Sequence, residues 1–284
     1  MPYMKVGQAN AESIELYYED FGQGKPVVLI HGFPFSGTAW EKQVPALLKA
    51  GYRTITYDRR GFGKSSQPAT GYDYDTFTAD LNTLLTRLDL HDVTLVGHSM
   101  GTGETTRYLG TYGSGRVGRA VLVSPIPPYL LKTADNPQGV DGSVFDAIMH
   151  SIAKDRLAYL TSFLHDFYNL DQTLGTLVSN EVVRANFIVA AGASAIGTAA
   201  CVPAWLTDFR QDLPKIDVPM LVIQGDADRI LPFPATGQRL PELLKGSRLV
   251  VLKDAPHGIP WTHNEEINRE LLTFLKQPSP VGSR

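Results

Sequence analysis

One serine stands between glycines at the end of an apolar run, in "LVGHSMGTG" (residues 95–103). Gly97, Ser99 and Gly101 follow "DVTLV" and precede "GTGETTRYL", so the pattern predicts a turn between a buried strand and a helix. The flanking glycines leave room for a sharp bend that exposes the hydroxyl, and the start of the helix adds unpaired N–H groups. These features favour Ser99 as a nucleophile. A simple turn is the alternative that the motif alone leaves open.

Two further strands run into ionisable residues. "PMLVIQGD" is followed by "ADRILP", and "RLVVLKDA" is followed by "PHGIPW". Because open α/β sheets bind ligands at the carboxyl ends of their strands, Asp228 and His257 are the predicted acid and base that would activate Ser99. The order serine, aspartate, histidine along the chain agrees with one of the known orders of such a triad. Asp226 is the closest alternative to Asp228.

The remaining histidines compete with His257 for the role of base. His91 lies at the wrong end of its strand, and His98 faces away from Ser99 if the strand alternates. We expect each of them to be an ordinary surface or core residue, whereas a place at the carboxyl end of a strand favours His257. These residues are His31, His91, His98, His150, His165 and His263.

A second turn follows a buried strand in "LIHGFPFSG" (residues 29–37). A backbone N–H after such a strand can point at an oxygen held by Ser99, and the N–H after the serine can serve as a second donor. Phe33 and Met100 are therefore the predicted oxyanion-hole residues. His31 is expected to be a buried hydrogen-bonding partner of this loop. The alternative for the segment is a plain reversal of the chain.

The strands that must position these residues alternate with helical patterns. Continuous Val, Ile and Leu runs predict parallel strands covered on both faces, whereas "SIELYYED" alternates and predicts an antiparallel edge strand. Helices are predicted near 44–50, 75–90, 100–112 and 264–276. The fold class is α/β, a mostly parallel central sheet flanked by helices. Its predicted parts are a core of residues 1–127 and 213–277, a helical cap insertion at 128–212 and a frayed tail at 278–284.

Composition narrows the classes of partner. A chain of 284 residues, 43% of them hydrophobic, can bury a full core, and its net charge of -3 provides no basic stripe for nucleic acid or anionic lipid. Cys201 is the single cysteine and has no nearby His or Lys, so we expect a buried, unreactive thiol. Neither a secretory signal nor a membrane-length apolar run is apparent. We therefore expect a cytoplasmic protein without membrane partners.

The sequence lacks the residue spacing that phosphate-binding, metal-binding and dinucleotide-binding motifs require. "GFGKSS" (61–66) suggests a phosphate loop, but Asp58 stands where such a loop requires its first glycine. There is no His-Glu-x-x-His, no pair of cysteines, and no Gly-x-Gly-x-x-Gly in the first strand-to-helix turn. We expect neither a metal nor a nucleotide cofactor.

Long stretches of the chain resemble the α/β-hydrolase superfamily, and within it the bacterial cofactor-free (non-haem) haloperoxidases, which are also described as esterases with perhydrolase activity. The stretches similar to a bromoperoxidase of that group are "ELYYEDFGQGKPVVLIHGFP", "GYRTITYDRRGFGKSSQPATGYDYDTF", "PPYLLKTADNP", "KIDVPMLVIQGDADRILP" and "APHGIPWTH". The resemblance implies a catalytic triad of Ser99, Asp228 and His257, with the N–H groups of Phe33 and Met100 as oxyanion donors.

The resemblance also implies a reaction. An ester would acylate Ser99, after which water releases an acid or hydrogen peroxide releases a peracid that oxidises bromide or chloride in solution, with no cofactor. Pro34 stands where the group associates proline with perhydrolysis, and a stiffening of the loop is the alternative. His98 stands where members of the group carry Phe, a departure that concerns the polarity of the pocket. By analogy the group implies a homotrimer.

An apolar pocket for small acyl groups is expected beside the nucleophile. Its predicted lining residues are Phe33, Pro34, Met100, Trp205 and Ile230, each of which could instead belong to the core. The expected partners are a small ester or carboxylic acid, hydrogen peroxide and halide. Two alternatives share the triad, namely a lactonase or amidase (lactamase) and a non-catalytic ligand-binding relative. Dehalogenases and epoxide hydrolases are disfavoured because they need a carboxylate at position 99.

Overall fold

The structure is a computed structural model that describes residues 2–277, so the predicted tail at 278–284 lies outside the described residues. The strands are β1 (Tyr3–Ala9), β2 (Glu12–Phe21), β3 (Pro26–Ile30), β4 (Arg53–Tyr57), β5 (Val93–His98), β6 (Val117–Val123), β7 (Met220–Gly225) and β8 (Arg248–Leu252). The α-helices are α1 (Val44–Lys49), α2 (Tyr74–Arg87), α3 (Met100–Tyr112), α4 (Gly142–Tyr168), α5 (Leu170–Thr173), α6 (Asn180–Ala191), α7 (Ala195–Trp205), α8 (Leu240–Leu243), α9 (Ile259–Thr262) and α10 (Asn264–Lys276).

The strands form one sheet in the order β1-β2-β4-β3-β5-β6-β7-β8. All neighbours from β4 to β8 are parallel, whereas β2 is antiparallel to both β1 and β4. The predicted α/β class with a mostly parallel sheet is therefore confirmed. Because parallel strands all end at the same edge, the turns that follow β3, β5, β6, β7 and β8 meet there.

One edge of the sheet differs from the prediction. The alternating run "SIELYYED" lies in β2, which is antiparallel as predicted but internal, because β1 pairs along its outer side. β1 is not among the strands predicted from the sequence. Its pairing with β2 shifts register between Lys5 and Gly7, and a strand interrupted in this way leaves only a short alternating pattern.

Buried apolar side chains cover both faces of the parallel strands. Val28 and Ile30 of β3 pack in a cluster that includes leucines of α2 and α3. Val27 and Leu29, which alternate with them, pack in a second cluster with residues of α1 and α10. The alternation places helices on both faces, as expected for strands that are buried on both sides.

Helices α4 to α7 lie between β6 and β7, within the stretch predicted as a cap (128–212). α4 is broken at Asp155, whose backbone is non-helical (φ −159°, ψ 95°) and whose carboxylate accepts the N–H groups of Leu157 and Ala158. Asp155 therefore caps a new helical segment that continues to the carboxyl edge of the sheet. Among the described residues no single helix is long and apolar enough to span a membrane, although the bent pair α6 and α7 passes that test by length and composition.

Candidate active site

Ser99 forms the tight turn between β5 and α3. Its backbone is left-handed (φ 54°, ψ −121°), a conformation that residues other than glycine adopt rarely. The turn fits because glycines lie where the helix meets the sheet. A Cβ on Gly101 would come within 2.3 Å of the Ile30 carbonyl oxygen, and a Cβ on Gly97 within 2.4 Å of the Gly101 oxygen. The strand-to-helix turn predicted from the glycine spacing is present.

His257 and Asp228 form a buried pair in the turns after β8 and β7. The imidazole Nδ1 lies 2.7 Å from Asp228 Oδ2, and both side chains are fully enclosed. The other carboxylate oxygen of Asp228 accepts the backbone N–H groups of Ile230 and Leu231 at 3.0 and 2.8 Å. Because an ionised carboxylate only accepts, His257 donates from Nδ1, and its neutral form leaves the Nε2 lone pair available.

The Nε2 atom of His257 is buried and has no hydrogen-bond partner among the described residues. The Ser99 hydroxyl therefore does not donate to it in this structure. His98, which directly precedes Ser99, places its ring centroid 5.1 Å from that of His257, so the turn after β8 lies next to the end of β5. Catalytic hydrogen bonds are often long without substrate and shorten in the reacting complex.

Asp226, the alternative acid, makes no hydrogen bond to His257. It is exposed, and its Oδ1 accepts the backbone N–H of Asp254 at 2.6 Å, which joins the turn after β7 to the turn after β8. Asp228 alone of the two aspartates makes a hydrogen bond to His257.

A cavity of about 460 Å³ opens beside Ser99. Trp205 and Ile230, both predicted as pocket residues, line it together with Phe33. Most other lining residues are apolar, and they are Ile126, Leu130, Val140, Val144, Phe145, Ile148, Tyr159, Phe163, Leu231 and Pro232. Ser162, Asp166 and Arg229 are the polar lining residues besides Ser99. The cavity therefore suits an uncharged, largely apolar group next to the hydroxyl.

Pro34 and Met100 are predicted to line the pocket, but neither residue lines this cavity. Residues 32–35 form a turn in which the N–H of Phe35 donates to the Gly32 carbonyl at 3.1 Å. In that turn Phe33 faces the cavity of Ser99 and Phe35 lines a separate cavity, so Pro34 is buried between them. Met100 is fully buried because α3 begins there beneath the turn.

The backbone N–H groups of Phe33 and Met100 have no protein acceptor among the hydrogen bonds of residues 2–277. Both N–H groups flank the Ser99 turn, Met100 as the next residue and Phe33 through Gly32, where an added Cβ would lie 2.8 Å from the Ser99 Cβ. Two unpaired donors beside a serine can stabilise an oxygen that gains negative charge.

Comparison with known proteins decides the family. Residues 25–264 match the family model of the alpha/beta hydrolase fold. The chain belongs to the α/β-hydrolase family. It is therefore an enzyme of that family, as the sequence resemblance predicts.

Similar proteins place this hydrolase among the non-haem haloperoxidases. A Synechocystis protein with a provisional non-heme chloroperoxidase name is 62% identical over 97% of this chain and 100% of its own length. A bifunctional esterase/perhydrolase of Acinetobacter calcoaceticus is 35% identical over 93% of this chain and 97% of its own. The crystal structure of a bromoperoxidase from Bacillus anthracis is 49% identical, with a TM-score of 0.93 over 97% of this chain and 99% of that one.

A buried charged network supports the turn that follows β3. Arg59 donates to the His31 carbonyl at 2.9 Å and forms a salt bridge of 2.7 Å with Glu104 of α3. Tyr57 also contacts Glu104 by a hydrogen bond. His31 Nε2 accepts the backbone N–H of Arg59 at 2.9 Å, and burial followed by the charge of Arg59 lowers the pKa of His31 well below its usual value. His31 is thus the buried hydrogen-bonding partner of the loop that the sequence predicts.

The other histidines and Cys201 take no part in the Ser99 cavity. His91, His150 and His165 are exposed, and His263 is half-buried at the start of α10. Cys201 is fully buried, as predicted, and burial raises the pKa of its thiol to about 12. Within the described part of the chain, no three His, Cys, Asp or Glu side chains are grouped as metal ligands.

Two residues that hold the turn around Asp228 are not predicted from the sequence. Gln224 donates to Asp228 Oδ2 at 3.2 Å and to the Leu231 carbonyl at 2.8 Å. Asn169, in a left-handed conformation at the end of α4, donates to the Ala227 carbonyl at 2.9 Å. A polar residue within the apolar run "MLVIQG" is a signal for Gln224. Nothing in the sequence near Asn169 indicates its partner, because the two residues are 58 positions apart.

Proposed function

We propose that this hydrolase is a serine carboxylesterase that works through a covalent acyl-enzyme and also transfers the acyl group to hydrogen peroxide. The observation that supports the proposal is the state of His257. Its Nδ1 is held by Asp228, and its buried Nε2 has no partner beside a strained serine that opens onto an apolar cavity. An imidazole held in this way keeps its Nε2 lone pair free to accept a proton from a hydroxyl that approaches it.

In this reaction His257 removes the proton of the Ser99 hydroxyl as its oxygen attacks the ester carbonyl. The N–H groups of Phe33 and Met100 bind the resulting oxyanion, and Asp228 stabilises the imidazolium. His257 then returns the proton to the departing alcohol, which leaves the acyl group on Ser99. The apolar cavity beside Ser99 provides room for the acyl group.

When a carboxylic acid is the acyl donor instead of an ester, His257 gives the proton to a departing water molecule, and the same acyl group is left on Ser99. The second half of the reaction depends on which nucleophile attacks this acyl group. Water gives the carboxylic acid, and hydrogen peroxide gives a peracid, with His257 accepting the proton in both cases. The released peracid transfers one oxygen to bromide, which yields hypobromite and the carboxylic acid. The similarity to a bifunctional esterase/perhydrolase and to haloperoxidases supports this branch, in which halide oxidation takes place outside the protein.

The experiment compares the wild-type protein with Ser99→Ala in two assays. The first follows p-nitrophenol release from p-nitrophenyl acetate. The second supplies acetate, hydrogen peroxide and bromide and follows bromination of an acceptor dye. We expect activity in both assays for the wild type and a loss of about 10³-fold or more for Ser99→Ala, because Ser99 is the cavity hydroxyl that flanks the unpaired N–H groups of Phe33 and Met100.

Equal turnover by Ser99→Ala would contradict the nucleophile assignment. Bromination that persists in Ser99→Ala while ester hydrolysis disappears would contradict the peracid branch alone. A folded wild-type protein that hydrolyses no ester and brominates no dye would favour a ligand-binding role for the cavity.

A further inference from the structure

The carbonyl oxygen of His257 accepts two side-chain hydrogen bonds. His98 Nε2 lies 3.2 Å from it, and Ser124 Oγ lies 3.1 Å from it. On the other side of the same peptide group, the N–H of Gly258 donates to the Phe167 carbonyl of α4 at 2.8 Å. The peptide that follows the imidazole is therefore held from the sheet by two donors and from the cap helix by one acceptor.

The proton of the His98 bond can be assigned from its partner. A carbonyl oxygen only accepts, so the hydrogen of His98 must be on Nε2. Burial, and after it the charge of His257, lowers the pKa of His98 to about 3, and the ring stays neutral at ordinary pH. Ser124 donates through its hydroxyl, and both side chains are almost completely buried. Neither bond is exposed to competition from bulk water.

Both donors belong to residues whose backbones are fixed by the sheet. His98 is the last residue of β5 and is covalently joined to Ser99. Ser124 directly follows β6, and its N–H donates to the Ile223 carbonyl of β7 at 2.8 Å. Hydrogen bonds from the ends of β5 and β6 thus fix the backbone of His257, and the end of β5 also carries Ser99.

His98 does not line the cavity of Ser99. It lines a second cavity of about 210 Å³, between α6, α9 and the turn after β3. Its ring packs at right angles to Trp40 and Phe167, with centroids 6.2 and 5.8 Å away. A ring enclosed in this way has little freedom to rotate away from the His257 carbonyl. The side chain of His98 therefore acts on the base through its hydrogen bond to the His257 carbonyl.

We propose that His98 and Ser124 are positioning residues that fix the backbone of His257 and thereby set the approach of its imidazole to Ser99. The proposal rests on the proposed function, because it assigns these residues a role in the same reaction. Loss of one donor leaves the carbonyl bound by the other, so a single substitution weakens the alignment without unfolding the turn.

A matched pair of variants at position 98 tests this role. Gln and Met have similar length and shape, but only Gln places an N–H donor where His98 Nε2 lies. We expect His98→Met to lower kcat for p-nitrophenyl ester hydrolysis by about five- to tenfold with KM unchanged, and His98→Gln to restore most of it. His91→Met, at an exposed histidine far from the cavity, is the control and should keep the wild-type kcat.

A second readout separates this proposal from the proposed function. The proton between His257 Nδ1 and Asp228 gives a downfield proton NMR resonance that needs no turnover for its detection. We expect it to broaden or shift in His98→Met and to stay in place in His98→Gln. Wild-type turnover decides whether the protein is an esterase, whereas the contrast between Met and Gln decides the role of His98 even if no ester is hydrolysed.

Equal kcat values and equal resonances in the Met and Gln variants would overturn the proposal. If His98→Met does not fold, Ser124→Ala removes the other donor to the same carbonyl and should lower kcat about five-fold with KM unchanged. A wild-type kcat together with a wild-type resonance in Ser124→Ala would overturn the proposal as well.

Discussion

At the scale of single residues, the candidate site depends on the different surroundings of two aspartates. Asp228 is enclosed, accepts two backbone N–H groups and bonds to His257, whereas Asp226 is exposed and accepts only the N–H of Asp254. Their proximity in sequence makes them hard to separate by pattern, since both follow the same strand. The structure distinguishes them by the direction of each side chain.

Asp228→Asn and Asp226→Asn form a matched pair for testing this difference. An amide at position 228 can hold the imidazole in the wrong tautomer and cannot stabilise the imidazolium, so we expect kcat for ester hydrolysis to fall by about 10³- to 10⁴-fold. Asp226→Asn should keep the wild-type kcat. Steady-state kinetics on both proteins, with circular dichroism to verify folding, provide the comparison. A similar loss in both variants would contradict the assignment of Asp228 as the acid.

Residue types and strand ends predict that Ser99, Asp228 and His257 lie in turns that follow strands, and each lies in such a turn. The residues that hold them were less predictable. Gln224 and Ser124 reach the site through the direction of their side chains, and direction depends on turns whose geometry cannot be read from residue order. Pro34 is predicted as a pocket residue from the resemblance to the haloperoxidases, whereas the tight turn at 32–35 turns Phe33 alone of the two toward the cavity.

At the scale of elements, the site depends on the close contact between helix α3 and strand β3. Gly101 lies in the first turn of α3, and an added Cβ would lie 2.3 Å from the carbonyl oxygen of Ile30 and 3.0 Å from its Cγ2. Backbone atoms at that distance cannot move aside without a shift of the helix or the strand. The position of Ser99 at the helix start therefore depends on a glycine at 101.

Gly101→Ala should consequently destabilise the hydrolase. We expect the free energy of unfolding to fall by about 1–3 kcal/mol, and ester hydrolysis per folded molecule to fall as α3 moves away from β3. Gly115→Ala is the control, because a Cβ there would meet no atom within 4 Å, and its effect should be within about 0.5 kcal/mol. Urea unfolding measures both. A Gly101→Ala protein as stable as the control would contradict the packing argument.

Elements with strong periodicity were predicted well, and those that depend on pairing partners were not. The predicted aliphatic runs correspond to parallel strands of the sheet, and the predicted helices near 44–50, 75–90, 100–112 and 264–276 correspond to α1, α2, α3 and α10. Strand β1 is not predicted, because its alternation of polar and apolar residues is interrupted and its stability comes from pairing with β2. Local pattern cannot reveal such dependence on a neighbour.

At the scale of the whole molecule, buried neutral histidines make stability depend on pH. Burial lowers the pKa of both His31 and His98, the latter to about 3. In the unfolded chain a histidine titrates near pH 6.5, so below that pH the unfolded state binds protons that the folded state does not. The contribution of these histidines is complete above about pH 6.5 and is lost as the pH falls toward 3. Burial raises the pKa of Asp58 and Asp80, which acts in the opposite direction.

A comparison of the wild type with His98→Gln isolates the histidine contribution, because the carboxylates are the same in both proteins. Between pH 6 and pH 4 the free energy of unfolding of the wild type should fall by about 1 kcal/mol per pH unit relative to the variant. Above pH 7 the difference between their free energies of unfolding should be constant. Urea unfolding at a series of pH values tests this. A constant difference down to pH 4 would contradict a neutral, buried His98.

The proposed function requires the Ser99 hydroxyl oxygen to be the nucleophile that accepts the acyl group. The most direct measurement mixes the enzyme with excess p-nitrophenyl acetate, quenches with acid within the burst and determines the mass of the intact protein and its peptides. We predict one added acetyl group on the wild type, located on the peptide that contains Ser99, and none on Ser99→Ala. An acetyl group on another residue, or equal labelling of Ser99→Ala, would contradict the account.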